Sequence, residues 1–115
     1  MSWKNGILEE MTAEDVRAFG AEVAVVAVAS TEPHGASLPY GTDFFQADAV
    51  ARRGVQRANA RGARALMLPT LPIGNNVNFK QLPMACRVRV RTLMLVLLDL
   101  IEMLEEEGLR KVVLL

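Results

Sequence analysis

Apolar residues crowd three short stretches of this chain without polar alternation. Residues 22–29 are rich in Val and Ala, residues 63–68 repeat the pattern and end at Pro69, and residues 111–115 begin it again. An uninterrupted apolar run of this length predicts a strand covered on both faces, as in a parallel sheet. Between these stretches the period changes. Ala47, Val50, Ala51, Val55 and Ala58 fall at helical spacing after Asp43, with Arg52, Arg53, Gln56 and Arg57 opposite them and Gly62 as a stop. A second helical pattern, capped by Thr92, carries Leu93, Val96, Leu97, Leu100, Ile101 and Leu104 to about Glu107 and ends at Gly108. Its Leu/Met stripe predicts a buried face. A shorter helix is expected from the Thr12 cap to about Phe19, stopping at Gly20.

Two segments break every period. Residues 30–42 hold Pro33, Gly35, Pro39 and Gly41, and residues 70–83 hold Pro72, Gly74, Asn75, Asn76 and Asn78. Residues 87–90 read as a short strand or an extended lead-in. The order strand, loop, helix, strand, loop, helix, strand predicts an α/β three-layer sandwich with a largely parallel sheet. Ligands of such sheets bind beyond the carboxyl ends of the strands, and both irregular loops follow strands.

Composition narrows the function. The 115 residues suit a single domain with an aliphatic core, since 51% are hydrophobic but only 5% aromatic. Thirteen basic residues balance thirteen acidic ones, so charge makes no case for nucleic acid or an anionic membrane as partner. The longest apolar run, residues 93–98, is too short to span a bilayer, which takes roughly 20 residues. Met1, Ser2, Trp3, Lys4, Asn5 and Gly6 lack the apolar stretch of a signal peptide. Cys86 is the single cysteine, which excludes an internal disulfide and points to the cytoplasm. With one histidine in the chain, Cys86 reads as a small buried residue and not as a nucleophile. Arg87, Arg89 and Arg91 alternate, as on a solvated extended face or a subunit contact.

The chemistry concentrates in the first loop. Glu32 and His34 flank Pro33, which favours an extended backbone before it. Side chains at i and i+2 of an extended segment point the same way, so a carboxylate and an imidazole face one point. Asp43 follows nine residues later at a helix start, and the intervening loop can fold back. Carboxylate with imidazole suits zinc, manganese or a related divalent ion. Spacing alone also fits a plainer reading, an ordinary loop histidine bonded to backbone and an Asp43 that only caps its helix. The asparagines suit turn chemistry better than substrate contact. A nucleotide-binding domain is disfavoured, because no Gly-rich loop follows the first strand and Glu32 stands where phosphate would sit.

The run Ser30-Thr31-Glu32-Pro33-His34-Gly35, then Leu38-Pro39 and Gly41-Thr42-Asp43, resembles the signature of the creatininase family (creatinine amidohydrolase-like proteins). Residues 68–74 resemble that family's second strand and Pro-rich loop, and residues 108–115 the strand leading to its Gly-His-Gly-Gly motif. The resemblance implies a metal-dependent hydrolase that cleaves a cyclic or linear C–N amide bond with water activated at a binuclear centre. It implies two divalent ions, Zn2+ or Mn2+ with Fe2+ as a further candidate, held by Glu32 on one side, His34 on the other and Asp43 between them. It also implies a homo-oligomer, a hexamer, and a small-molecule amide substrate, with Ser37, Asn76 and Asn78 as candidate contacts.

Ser37 stands where the family has a second histidine, Asn78-Phe79 where many members have Glu-His, and Pro83-Met84-Ala85 where Pro-Gly-Thr is usual. These departures point away from creatinine itself. They also leave room for a non-catalytic binding or assembly module on the same fold. By the same resemblance, residues 1–115 are the N-terminal part of a C-terminally truncated creatininase-like domain. A further histidine and a glutamate ligand are expected beyond Leu115, and the chain by itself is expected to be inactive.

Overall fold

A computed structural model describes residues 6–115. Residues 1–5 of the opening read above as lacking a signal peptide lie outside these residues. Three parallel strands form one sheet: β1 (Val23–Val26), β2 (Ala65–Met67) and β3 (Val112–Leu114), in the order β2-β1-β3. Val25 of the central strand pairs with Met67 on one side and with Val113 on the other. Helix α1 (Ala13–Phe19) precedes β1, α2 (Thr42–Ala60) joins β1 to β2, and α3 (Val90–Glu106) joins β2 to β3.

The unalternating strand sequence follows from the two faces of this sheet. Val25 and Ala27 pack with Ala65 and Met67 against Ala51 and Val55 of α2. Ala24 and Val26 point the other way and pack with Leu66 and Leu68 against Leu104 of α3 and Leu109. Both faces are dry, so neither set of alternating positions is polar. The result is the expected three-layer sandwich, helix, sheet and helix.

Several element bounds differ from expectation. Helix α3 starts at Val90, with Arg89 at its cap and no side-chain cap bond, so Thr92 lies inside the helix. Helix α2 starts one residue before Asp43, with Gly41 as its cap. The ladder of β1 is shorter than residues 22–29, but the extended chain continues through a Val28–Leu71 bridge and the bond from the Ala29 amide to the Leu71 carbonyl.

Two larger corrections concern burial. In α3 only Leu104 is fully buried, while Met94, Leu95, Leu98 and Ile101 are exposed. The helix is apolar on more of its circumference than one sheet face can cover. In β3, Val113 and Leu114 are exposed, not buried, because β3 is an edge strand and no described element packs over them.

Elsewhere the local rules hold. Thr12 caps α1 through a reciprocal pair with Asp15, and Gly20 ends it in the left-handed region at φ 66°.

Candidate metal centre

The chain leaves β1 at the middle of the sheet. α2 then crosses to β2 on one side, and α3 to β3 on the other. The carboxyl end of β1 is therefore a switch point, the crevice where open α/β sheets place their ligands. The loop after β1 folds back on itself there. His34 bridges Leu38 in antiparallel fashion, and the Glu32 amide donates to the Tyr40 carbonyl at 3.3 Å. Gly35 makes the reversal possible at φ 68°, a conformation that costs a glycine little. This return carries the chain to Asp43 in the first turn of α2.

The second loop braces the first from the same edge. The Thr31 hydroxyl donates to the Pro72 carbonyl at 2.6 Å, and the Cys86 amide to the Thr31 carbonyl at 3.0 Å. The Tyr40 hydroxyl donates to the Pro83 carbonyl at 2.6 Å. The amides of Asn75 and Asn76 donate to the Val88 and Cys86 carbonyls at 2.9 and 2.7 Å. Asn76 is buried with its amide committed in this way, whereas Ser37 and Asn78 are exposed.

Within this frame Glu32, His34 and Asp43 converge, each offering a ligand atom within 4.8 Å of the others. His34 Nε2 lies 3.1 Å from Asp43 Oδ2 and 4.0 Å from Glu32 Oε1. Nε2 is a buried polar atom that no hydrogen bond satisfies, held in ion-pair range of Asp43. Buried polar atoms are almost always satisfied, and an imidazole nitrogen aimed at two carboxylates is suited to an ion. The donor set therefore fits a divalent metal. Asp43 is not the cap of α2, so the plainer reading of that residue fails.

Electrostatics separates the two carboxylates. Burial raises the Glu32 carboxyl above its usual value, and Asp43 adds to the rise while Ser30 and His34 oppose it. Burial also pushes Asp43 up, but hydrogen bonds with Ser30 and Glu32 and the nearby imidazole outweigh it and leave Asp43 below its usual value. Like charges in one site divide in this way, one acid holding its proton longer than the other.

Sequence reasoning missed Ser30. Its hydroxyl lies 3.2 Å from Glu32 Oε1 and 2.9 Å from Asp43 Oδ2. The signal was available, since Ser30, Glu32 and His34 share one side of an extended segment at spacing two. Beside this cluster a groove of about 440 Å³ runs between α2 and the end of β3, lined by Val28, Ser30, Asp43, Gln46, Val50 and Leu115.

The profile of the creatininase family, described as creatinine amidohydrolase, matches residues 9–115. The chain belongs to the creatininase family. Among solved structures it is similar to a putative creatinine amidohydrolase from Bacteroides fragilis NCTC 9343, with 26% identity and a TM-score of 0.81 over 96% of this chain and 45% of that one. It is also similar to a creatininase carrying a tryptophan-to-alanine substitution, with 25% identity and a TM-score of 0.83 over 95% of this chain and 44% of that one. The chain thus spans under half the length of these creatininase structures. A search of the curated proteins found no match. Among the described residues, no helix is long and apolar enough to cross a membrane.

One departure from the family pattern now has a structural side. Met84, where Pro-Gly-Thr is usual, is the one non-glycine described residue at positive φ, at 53°.

Proposed function

We propose that Glu32, His34 and Asp43 form one side of a binuclear metal centre in an amidohydrolase acting on a small cyclic or linear amide. The observation that carries this reading is the convergence of a buried His34 Nε2, which no hydrogen bond satisfies, on the carboxylates of Asp43 and Glu32. Family membership supports the reaction class. Zn2+ or Mn2+ there, with Fe2+ as a further candidate, would lower the pKa of a bound water and polarise the amide oxygen. Asp43, the more acidic carboxylate, suits the bridging place, with Glu32 on one side and His34 on the other. The turn at Gly35 and the brace from Thr31 hold the three side chains in place.

Three side chains are too few to complete two coordination shells. Further ligands must come from other residues, and this chain alone binds metal weakly and hydrolyses little. Ser37 and Asn78, both exposed, are candidate substrate contacts; Asn76 serves the scaffold. The exposed apolar side of α3 suits a subunit contact in a homo-oligomer, a hexamer by family resemblance. The single unpaired cysteine suits the cytoplasm.

The test is calorimetric titration of Zn2+ and Mn2+ into the protein and its His34→Ala variant, followed by an amide panel that includes creatinine. Weak but saturable binding that is lost in the variant is expected, with little hydrolysis by this chain alone. A folded protein that takes up neither ion overturns the reading in favour of a non-catalytic module.

A further inference from the structure

Ser30 stands at the mouth of the candidate centre and touches both of its acids. Its hydroxyl oxygen is 2.9 Å from Asp43 Oδ2 and 3.2 Å from Glu32 Oε1. A serine hydroxyl has one proton to donate, so two acceptors compete for it. The two acceptors sit on different elements, Glu32 in the loop after β1 and Asp43 in the first turn of α2. Ser30 itself is fixed. It follows Ala29, whose amide donates to the Leu71 carbonyl at 2.8 Å. Gly74 packs so closely behind it that a methyl there would lie 3.3 Å from the Ala29 carbonyl oxygen and 3.8 Å from Ser30 Cβ. The hydroxyl thus reaches the acids from the rigid end of the sheet.

We infer that Ser30 is a positioning residue of the metal centre, whose single hydroxyl proton holds the Glu32 and Asp43 carboxylates side by side while leaving His34 Nε2 open. The reading rests on the metal site proposed above. Two carboxylates this close repel when both are ionised, and a donor between them offsets that repulsion before any ion arrives. Each acceptor oxygen keeps a second lone pair for a ligand bond. Partners that orient ligand carboxylates in this way affect metal affinity by about 10–100-fold.

The test compares the protein with its Ser30→Ala and Ser30→Thr variants by calorimetric titration of Zn2+ and by the visible spectrum of bound Co2+, which reports ligand geometry. Ser30→Ala is expected to bind Zn2+ roughly 10–100-fold more weakly, with an altered Co2+ spectrum and an unchanged circular dichroism spectrum. Ser30→Thr, which keeps the hydroxyl, is expected to bind like the parent. Parent-like Zn2+ affinity and Co2+ spectrum in Ser30→Ala would overturn the inference and leave the metal site standing. So would a folded Ser30→Thr variant that binds as weakly as an alanine replacement, or more weakly than the parent by tenfold where Ser30→Ala does not fold. Absence of metal uptake by the parent would overturn both.

Discussion

The Thr70 hydroxyl donates to Asp48 Oδ1 at 2.9 Å, joining the loop after β2 to the second turn of α2. Thr70 is one of two buried polar residues among those described, the other being Asn76. Asp48 in turn accepts from Arg52 Nε at 3.0 Å, and Arg52 reaches Glu10 at 2.6 Å and Glu9 at 3.5 Å. The chain of contacts ties α2 to two other segments, and α2 carries Asp43. Thr70→Val removes the donor and leaves the Asp48 carboxylate with Arg52 alone. A loss of about 1.5–3 kcal/mol is expected, the scale of a hydrogen bond to a charged group, measured as a lower urea midpoint with an unchanged slope. A parent-like midpoint would show that the contact does not hold the helix.

Met84 holds a backbone that disfavours side chains. A residue with Cβ in the left-handed region loses about 1–2 kcal/mol, whereas glycine there loses nothing sterically and adds about 0.5–1 kcal/mol of unfolded-state freedom. Met84 is 78% exposed, so removing its side chain forfeits little packing. Met84→Gly is therefore expected to raise stability by about 0.5–1 kcal/mol, seen as a higher melting temperature. A lower one would mean that the side chain contributes a contact.

Glu32 and Asp43 bear on stability with opposite signs. The Glu32 carboxyl is raised, first by burial and then by Asp43. Its favourable contribution is therefore present below its usual pKa and is lost as pH rises through the raised value. Asp43 is lowered, because Ser30, Glu32 and His34 outweigh the effect of burial. Its contribution is present above its usual pKa and is lost as pH falls through the lowered value. At neutral pH without metal, Glu32→Gln should melt at or above the parent temperature and Asp43→Asn below it. With Zn2+ both variants should lose the stabilisation that the ion gives the parent. The reverse order of the two metal-free melts would contradict the assigned directions.

The two sides of α3 should respond differently. Leu104 is buried against Val26, Leu66 and Leu109, so Leu104→Ala should cost about 2–5 kcal/mol. Leu95 and Leu98 are half exposed. On the homo-oligomer proposed above, the pair Leu95→Glu and Leu98→Glu should leave the circular dichroism spectrum unchanged and shift sedimentation toward the monomer. Unchanged sedimentation would place any subunit contact elsewhere.

The strand and helix order was legible because both faces of the central strand are dry and α2 shows one apolar stripe. Glu32 and His34 were legible because Pro33 and a spacing of two fix their common direction. Asp43 needed more, since nothing in local sequence says that a loop turns back; the turn at Gly35 and the Glu32–Tyr40 bond do that. The exposed side of α3 was misjudged because periodicity reports how much of a helix is apolar and not how much cover it finds. Ser30 was passed over because serine at the end of a strand is common, and its value lies in what it touches.

The frame formed by the two loops has an evolutionary side. Its links at Glu32–Tyr40, Thr31–Cys86 and Gly74–Val88 run between main-chain atoms, and the Thr31, Tyr40, Asn75 and Asn76 side chains all donate to backbone carbonyls. Such a frame reads little of the residues mounted on it. Ser37 and Asn78 stand outside it, exposed, so substitutions there can retune what the surface recognises while the acids and the imidazole stay in place. A scaffold wired largely to its peptide groups can absorb side-chain change at exposed positions without moving the acids and the imidazole.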